Sequence, residues 1–346
     1  MNVNIIYKLL EPDFVKELFN QEILTKYPNF KKIKKILITK IKNNVWHTTY
    51  HVVFKYETTF EDNEGKLTRM PIYCSAHSSE PRKNVYEVLD FLWKQDFGKG
   101  NLSIPHPLFY SKEFNATFYR GVKGETLYYF IKEKDFSEIE AILPKAAAWF
   151  AKLHRLSTEN ARNFNYENSR ISTVFPGKEN VLMGIVNTYP EYAEIYKQFY
   201  KIFISNEESF LNSTEKRWLV HGDAHPENII KMSKRKLAVI DFTDLSLSDF
   251  ARDLGTFLQQ LEYMSNRKIE DLEYTEKLKK IFLENYFKLS KIKQDESLNK
   301  RIENYYNWTA VRTANYFLMK HDPQPERAKP LIKQVCKNLG LKVGDF

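Results

Sequence analysis

The sequence predicts an α+β protein, with a mostly antiparallel sheet near the N-terminus and a mostly helical C-terminal part. Three short runs rich in β-branched and aromatic residues predict the strands of the sheet, at 36–41, 50–56 and 70–76. Three later segments repeat apolar residues at three- and four-residue steps, a period typical of amphipathic helices, at 254–264, 274–289 and 302–319. No internal repeat or low-complexity linker interrupts the chain.

The elements of the N-terminal part can be predicted in order. Apolar residues at helical spacing predict a helix over residues 12–19. The loop 43–48 joins the first two strands and contains no glycine, and the turn 61–65 predicts a hairpin into the third strand. A helix over 82–93 follows, with its apolar stripe at Val85, Val88, Leu89, Leu92 and Trp93.

Length and composition restrict the class of protein. A chain of 346 residues can form one large or two ordinary domains. It contains no apolar run long enough to span a bilayer, and its N-terminus lacks the features of a signal peptide. Its two cysteines, Cys74 and Cys336, lie far apart, which argues against a disulfide framework or a zinc site. We therefore expect a cytoplasmic protein.

The net charge of +9 does not by itself indicate a nucleic-acid-binding protein. Most lysines alternate with acidic residues on predicted helix faces, and even the dense cluster 31–35 lacks interleaved aromatic residues. We interpret these lysines as solvated surface and expect neither nucleic acid nor a membrane as a partner. A net positive charge does favour the binding of an anionic nucleotide.

The segment 218–242 carries the strongest signal in the chain. Apolar runs predict strands at 218–220, 229–230 and 237–240, with a tight polar turn at 233–236. Polar residues occupy the ends of these strands: Asp223, Asn228 and Asp241. Asp and Asn are poor strand formers, so their position calls for a functional explanation. Strand ends and short loops are places where a rigid scaffold can aim side chains.

These residue types support phosphoryl transfer. One Asp orients the attacking hydroxyl or accepts its proton, while an Asn and a second Asp supply hard oxygen ligands for magnesium. The order His221-x-Asp223 and Asn228, followed by Asp241-Phe242, matches the kinase catalytic-loop pattern. Turn capping by Asp223 and Asn228 would explain each residue singly, but not the ordered set.

The variant His221-Gly-Asp223-x-His225-x-x-Asn228 resembles the aminoglycoside phosphotransferase and choline kinase-like family of the protein kinase-like superfamily. The segment 248–255 is similar to that family's Gly-Asp-Pro-x-x-Asp-Leu-Ala motif, and the resemblance runs through most of residues 50–255. It implies a protein kinase-like two-lobe fold. A nucleotide-binding lobe would occupy 1–119, and a catalytic and substrate-binding lobe would occupy 120–346.

The family resemblance also implies roles for single residues. Asp223 would be the catalytic base, His221 would support the loop, and His225 would hold the loop or touch the γ-phosphate, with a purely structural His225 as the alternative. Asn228 and Asp241 would bind Mg²⁺, with ATP as the phosphoryl donor. The acceptor would be a hydroxyl group of an aminoglycoside, choline, a sugar or an amino-alcohol.

A second resemblance concerns the adenine pocket and the helix that follows it. Residues 116–127 predict a strand, a glycine-marked turn and a helix start, as in the family's hinge, although an ordinary strand-to-helix turn would look the same. By the resemblance, four consecutive residues would line the adenine pocket: Tyr119, Arg120, Gly121 and Val122. A helix ending at His154 resembles a family element, with Pro144 expected near its start and His154 in a structural role.

The sequence departs from the family pattern at the phosphate-binding lysine. In kinase-like folds the third strand carries a lysine that pairs with a helix glutamate. Its expected place, 74–76, contains no lysine, and Glu87 lies opposite the apolar stripe of its helix. Five cations could substitute, and the sequence does not choose among them: Lys55, Lys66, Arg69, Arg82 and Lys83.

Two other functions stay open at this stage. The missing lysine and the glycine-free loop are compatible with a pseudokinase or a nucleotide-sensing binding protein. A protein kinase is disfavoured by Gly222 between His and Asp, by Thr243 after Asp-Phe, and by the absence of an Ala-Pro-Glu segment. The sequence leaves open the acceptor, the choice between ATP and GTP, and the oligomeric state. The run 308–318 is mostly apolar and contains Arg312 as an embedded charge.

Overall fold

The computed structural model describes residues 3–79, 82–159 and 161–342. Its strands, in chain order, are β1 (Phe30–Val45), β2 (Tyr50–Asp62), β3 (Leu67–His77), β4 (Leu102–Ser103), β5 (His106–Ser111), β6 (Ala116–Arg120), β7 (Glu125–Thr126), β8 (Trp218–Val220), β9 (Ile229–Lys231), β10 (Leu237–Val239) and β11 (Ser246–Ser248).

The α-helices, in the same order, are α1 (Pro12–Glu22), α2 (Lys83–Leu92), α3 (Leu127–Glu133), α4 (Phe136–His154), α5 (Lys178–Thr188), α6 (Ala193–Ser213), α7 (Ala251–Asn266), α8 (Leu272–Ser290), α9 (Glu296–Met319) and α10 (Pro325–Asn338). Short 3₁₀ segments cover Val3–Leu10, Leu24–Lys26, Glu167–Ser169, Pro190–Tyr192 and Pro226–Asn228, and a π-type turn covers Trp93–Phe97. The predicted α+β class is confirmed.

The chain forms two compact units. The first consists of Met1–Gly124 and Met232–Thr243, and the second of Glu125–Lys231 and Asp244–Phe346. The distant segment Met232–Thr243 joins the first unit because β10 pairs with β4 in parallel, with Leu237 opposite Leu102. The N–H of Leu237 also donates to the carbonyl of Asn101 at 2.8 Å.

An antiparallel sheet dominates the first unit. Among the described residues, five strands form it in the order β1-β2-β3-β6-β5. Side chains alternate along β2, where Val52, Phe54 and Tyr56 are buried, because successive residues of a strand point to opposite faces. These side chains belong to the same core as Val15 and Phe19 of α1. The predicted strands, the hairpin and the helix over 12–19 are therefore confirmed.

Helices dominate the second unit. Helix α7 packs against α8 and α9, α4 packs against α8, and α10 packs against α9. The contact between α7 and α9 is close: a Cβ on Gly255 would lie 2.5 Å from the carbonyl oxygen of Ile302. Two short antiparallel pairs, β8 with β11 and β7 with β9, frame the loops of this unit. The three helices predicted from apolar periodicity correspond to α7, α8 and α9.

The prediction for Pro144 was wrong. Pro144 lies inside α4, which begins at Phe136, where the side chain of Asp135 caps the helix by accepting the N–H of Glu138 at 3.1 Å. The helix starts this early because Ile139, Ile142 and Leu143 extend its buried stripe towards the N-terminus.

No helix in the described ranges is both long enough and apolar enough to cross a membrane.

Candidate active site

The loop between β8 and β9 turns at Gly222. Gly222 has φ = +84°, a left-handed conformation that side chains disfavour. A Cβ there would also lie 2.6 Å from the backbone oxygen of Asp244. Glycine therefore lets the chain pass close to the segment after β10 and reverse between His221 and Asp223.

Asp253, in the first turn of α7, anchors this loop. Its Oδ2 accepts the backbone N–H of His221 at 2.7 Å, and its Oδ1 accepts that of Gly222 at 2.9 Å. His154 Nε2 lies 3.0 Å from Oδ2, and the hydroxyl of Tyr286 lies 2.8 Å from His154 Nδ1. Burial raises the pKa of Asp253, but the hydrogen bond and charge of His154 outweigh it and lower the pKa overall. Asp253 thus stays a carboxylate, and His154 lies in this supporting network.

Arg252 supports the same turn from its other side. Its side chain is fully buried and donates to the carbonyl of Gly222 at 3.2 Å and to the carbonyl of Asn168. The amide of Asn168 in turn donates to Asp244 Oδ1 at 2.8 Å. The sequence shows the segment 248–255 as a family-like motif, but it does not show that Arg252 and Asp253 hold the loop. Two adjacent charged residues at the start of an apolar helix are the sequence feature that could have indicated this supporting role.

Asp223, His225 and Asn228 lie together in the second unit. His225 Nε2 lies 3.3 Å from Asp223 Oδ2. The Asn228 side-chain amide donates to the backbone oxygen of Asp223 at 3.0 Å and lies 3.0 Å from His225 Nε2. His221 contributes from the loop itself, because its Nδ1 accepts the N–H of Asp223 at 3.3 Å. The loop thus fixes both the backbone and the carboxylate of Asp223.

Asp223 is ionised at neutral pH. Burial raises the pKa of its carboxyl group, but the hydrogen bond from His225 and neighbouring positive charges, including that of Arg312, hold the pKa well below its usual range. The carboxylate nevertheless keeps 39% of its side-chain surface exposed, so it is accessible to a ligand. Such a group accepts a hydrogen bond from a hydroxyl without first losing a proton.

Asp241 belongs to the first unit and lies two residues after the end of β10. It has φ = +62°, and the hydroxyl of Thr243 donates to its Oδ1 at 2.8 Å. The side chain is exposed while that of Phe242 is buried, so the strand end presents the carboxylate outward. Carboxylate and amide oxygens are hard ligands suited to Mg²⁺. Among the described residues, no cluster of three or more His, Cys, Asp or Glu side chains is arranged to hold a metal ion.

One of the five candidate cations differs from the others. The side chain of Arg82 is only 6% exposed, and its Nη2 lies 3.4 Å from His51 Nε2 on β2. Burial and the charges of Lys42 and Arg82 lower the pKa of His51 to about 4, and Asp241 opposes this shift. Arg82 and Asp241 therefore act on the same histidine within the first unit.

The remaining candidate cations are surface groups. Lys55 Nζ lies 2.6 Å from the carboxylate of Glu57, and Lys83 Nζ lies 3.6 Å from that of Glu87. Lys66 and Arg69 are exposed. At the expected lysine position on β3, Cys74 is fully buried.

The predicted adenine-contacting residues follow one another at the end of β6. The ring of Tyr119 stacks on Tyr73 with 5.8 Å between ring centres. The N–H of Gly121 donates to the carbonyl of Pro71 at 2.9 Å, and a Cβ on Gly121 would lie 2.3 Å from the Tyr73 ring. Arg120 ends the strand, and Val122 continues into the turn before β7. All four residues belong to the first unit.

Comparisons with known proteins identify the family of this chain. The model of a family described as the phosphotransferase enzyme family matches residues 64–287, more than half of the chain. A search of curated proteins finds no significant match.

Solved structures share the fold at low sequence identity. Amicoumacin kinase hAmiN, solved with AMP-PNP, Ca²⁺ and Ami, has a TM-score of 0.56 and 13% identity, over 92% of this chain and 93% of that one. Choline kinase LicA from Streptococcus pneumoniae has a TM-score of 0.54 and 14% identity, over 94% and 99%. The streptomycin–ATP–APH(2″)-IIa ternary complex has a TM-score of 0.53 and 16% identity, over 93% and 95%. The predicted kinase-like fold is confirmed.

Proposed function

Because the chain belongs to the phosphotransferase enzyme family, we propose that it transfers the γ-phosphoryl group of ATP to a hydroxyl group of a small molecule. The observation that carries this proposal is the loop from His221 to Asn228, which holds an ionised, accessible Asp223 between two fixed neighbours. Phosphoryl transfer depends mainly on positioning and electrostatic stabilisation, which such a loop supplies.

Asp223 is the proposed catalytic residue. Its carboxylate accepts a hydrogen bond from the acceptor hydroxyl and orients that oxygen towards the γ-phosphorus. The new bond joins the hydroxyl oxygen to phosphorus, and the bond from phosphorus to the β–γ bridging oxygen breaks. ADP leaves, and the hydroxyl proton passes to Asp223 and then to solvent.

His221 and His225 act through Asp223. His221 fixes the backbone of Asp223 through its Nδ1, and His225 Nε2 faces the carboxylate at 3.3 Å. We assign both as positioning residues. A contact between His225 and the γ-phosphate is the alternative role that the family resemblance implies.

The proposed magnesium ligands are Asn228 and Asp241. The amide nitrogen of Asn228 faces Asp223, which leaves its Oδ1 for a cation, and the Asp241 carboxylate is exposed. When bound, Mg²⁺ neutralises charge on the phosphates of ATP. Two protein ligands fit this ion, because Mg²⁺ at kinase sites takes its other ligands from phosphate and water.

We assign the phosphate-binding role of the family's lysine to Arg82. It is the one buried cation of the five candidates, and it shares His51 with Asp241 as an electrostatic neighbour. An arginine fork binds phosphate oxygens with two hydrogen bonds. Tyr119 to Val122 are the proposed adenine-contacting residues, since their backbone groups end a strand and enter an irregular turn.

The acceptor types implied by the resemblance are aminoglycosides, choline, sugars and amino-alcohols. The alternative function is a pseudokinase or nucleotide sensor, favoured by the absence of lysine at 74–76 and of glycine in 43–48. A low-pKa Asp223 aimed by His221 and His225 favours the enzyme, because a binding protein needs no oriented base.

Release of ADP in the presence of Mg²⁺-ATP and a panel of hydroxyl compounds tests the proposal. An Asp223→Asn variant should lose turnover by a factor of roughly 10³ or more while it still binds nucleotide. The matched control is Glu227→Gln, since Glu227 is an exposed acid of the same loop. Acceptor-dependent ADP release that is equal in parent and Asp223→Asn would overturn the assignment. Nucleotide binding without any acceptor-dependent release would favour the sensor.

A further inference from the structure

A cleft of about 290 Å³ opens in the second unit. Its walls come from the segment that precedes α5, from α6 and from the C-terminal half of α9. This volume lies at the lower end of the range for small-molecule sites. The cleft therefore suits a compact ligand.

Among the described residues, Arg312 is one of the two charged side chains that line this cleft. Its guanidinium stacks over the ring of Trp308 at 4.9 Å, and it forms no hydrogen bond or ion pair within the described part of the chain. A second cation, the fully buried Arg252, lies near enough for the charge of Arg312 to lower its pKa, after the larger effect of burial. A half-buried arginine beside another cation is stabilised by an anion.

Other polar groups of the cleft also lack partners among the described residues. The side-chain oxygen of Asn315 is buried and accepts no hydrogen bond from the described residues. The hydroxyl of Tyr200 forms no hydrogen bond with the part of the chain that the structure describes. Burial raises the pKa of Tyr200 to about 12, so its hydroxyl stays a donor at neutral pH. Lys320 adds a second positive charge to the wall. No Asp or Glu from the described part of the chain lines the cleft, so its charge is positive.

The rest of the wall is apolar. Val174 and Phe175 line it from the segment before α5, and Met319 lines it from the end of α9. These side chains match a carbon skeleton rather than a fully hydrated ion. The ligand therefore combines a compact, partly apolar body with an anionic group.

Arg312 connects this cleft with the catalytic loop. The positive charge of Arg312 lowers the pKa of the Asp223 carboxyl group, so the cleft and the proposed base have this arginine as a common electrostatic neighbour.

We infer that this cleft binds the phosphoryl acceptor, and that the acceptor carries an oxyanion, a carboxylate or a phosphate, which Arg312 holds while a hydroxyl faces Asp223. The inference rests on the proposed function for the role of the ligand, but not for the binding of the anion. It favours sugars that carry an acidic group, and adds hydroxy acids as an acceptor class, while it disfavours aminoglycosides and choline, because those cations would meet the positive charges of Arg312 and Lys320.

Binding is measured first, in the Asp223→Asn variant, where no turnover disturbs it. The probes are pairs that differ in one anionic group: gluconate and glucose, glucose 6-phosphate and glucose, glycerate and glycerol, with choline beside them. Calorimetry should show that the anionic compound of each pair binds at least about tenfold more tightly than its neutral partner. This ratio corresponds to a difference of about 1.4 kcal/mol in binding free energy. The carboxylate and phosphate pairs show which oxyanion the cleft prefers.

An Arg312→Gln substitution should remove this preference. Arg312→Lys should retain more affinity for a phosphate than for a carboxylate, because lysine keeps the charge but not the planar fork. The control is Arg267→Gln, since Arg267 is an exposed arginine of the same unit. It should leave the preference unchanged. Equal affinity for the members of each pair, no binding of any anionic probe, or an equal loss in Arg267→Gln would overturn the inference.

Turnover separates this inference from the proposed function. ADP release with the anionic compounds should have a raised KM in Arg312→Gln and a kcat changed far less, since Arg312 binds the acceptor and does not touch the reacting atoms. Anion binding that depends on Arg312, without ADP release, would support the cleft and contradict the phosphotransferase. ADP release with choline or an aminoglycoside alone would support the phosphotransferase and contradict the anionic acceptor.

Discussion

The carboxylate of Asp253 accepts the backbone N–H of His221 at 2.7 Å, although 32 residues separate them in the chain. The same carboxylate accepts the N–H of Gly222 and faces His154. A buried carboxylate with three partners fixes the start of the loop, because each alternative backbone position would leave a buried polar group unpaired. The positions of Asp223 and its neighbours thus depend on a helix that contributes no group to the proposed chemistry.

Replacement of Asp253 tests this dependence. Asp253→Asn places an NH₂ group where the carboxylate accepts the N–H groups of His221 and Gly222, and a buried donor left unpaired costs about 1–3 kcal/mol. Urea unfolding should show this loss in the free energy of unfolding. The control is Asp271→Asn, where the residue caps α8 at its exposed N-terminus and asparagine caps equally well. Similar stability of the two variants would contradict the anchoring role.

A comparison of Gly222 with Gly65 tests whether the close approach of the loop to Asp244 constrains residue 222. Their φ angles are +84° and +83°, but a Cβ on Gly65 would meet no atom within 4 Å. Gly65→Ala should therefore cost only the left-handed strain of about 1–2 kcal/mol. Gly222→Ala should cost clearly more in thermal or urea unfolding, because its Cβ would meet the backbone of Asp244. Equal losses would show that this contact imposes no constraint.

Glu207 should make the free energy of unfolding depend on pH in a way that one substitution can isolate. It is buried, accepts the N–H of Ile171 at 3.0 Å and the hydroxyl of Tyr305 at 3.1 Å, and burial raises its pKa from 4.5 to about 7. A raised folded-state pKa stabilises the fold at low pH, and this contribution is lost as the pH rises through about 7. The resulting change in the free energy of unfolding is about 3 kcal/mol in total.

The measurement is urea unfolding of the parent and of Glu207→Gln between pH 4.5 and pH 8, a range that brackets the shift of Glu207. The amide cannot ionise, so the stability of the parent relative to the variant should fall as the pH rises. A difference that stays constant across this range would contradict the raised pKa.

Arg82 should contribute to nucleotide affinity. Arg82→Gln should raise the Kd of Mg²⁺-ATP about tenfold or more, since charge-assisted hydrogen bonds to phosphate are lost. Lys83→Gln, one residue away and exposed, is the control. Arg82→Lys should restore part of the affinity if the charge matters, whereas it would not do so if Arg82 only packs. Identical Kd values in Arg82→Gln and Lys83→Gln would contradict the assignment of Arg82 and favour one of the other cations.

The local elements of this protein follow closely from its sequence. Apolar and polar residues alternate along β2, the turn 233–236 is short and polar, and the helical period is clear in α7 to α9, so each element is specified by adjacent residues. Phosphotransferase chemistry follows from the order of His221, Asp223, Asn228 and Asp241. The individual roles of these four residues stay predictions.

Long-range partners could not be predicted from the sequence. Nothing in the segment around Asp253 shows that its carboxylate meets His221, and nothing around Arg82 shows that its side chain reaches His51. Both contacts depend on packing between elements far apart in the chain. The unpaired state of Arg312 is also a property of its surroundings, because the sequence shows only a charge in an apolar run.

The most direct test concerns the nucleotide site without the usual lysine. Thermal melting is measured with Mg²⁺ alone, with ATP alone and with both, in the parent, in Asp241→Ala and in Asp322→Ala, an exposed acid used as control. We predict a saturable rise in the melting temperature that requires both ligands. It corresponds to about 3 kcal/mol of stabilisation at a hundredfold excess of ligand over its Kd. This rise should be lost only in Asp241→Ala. The absence of a rise in the parent at millimolar ATP, or an equal rise in Asp241→Ala, would contradict the proposed magnesium–nucleotide site.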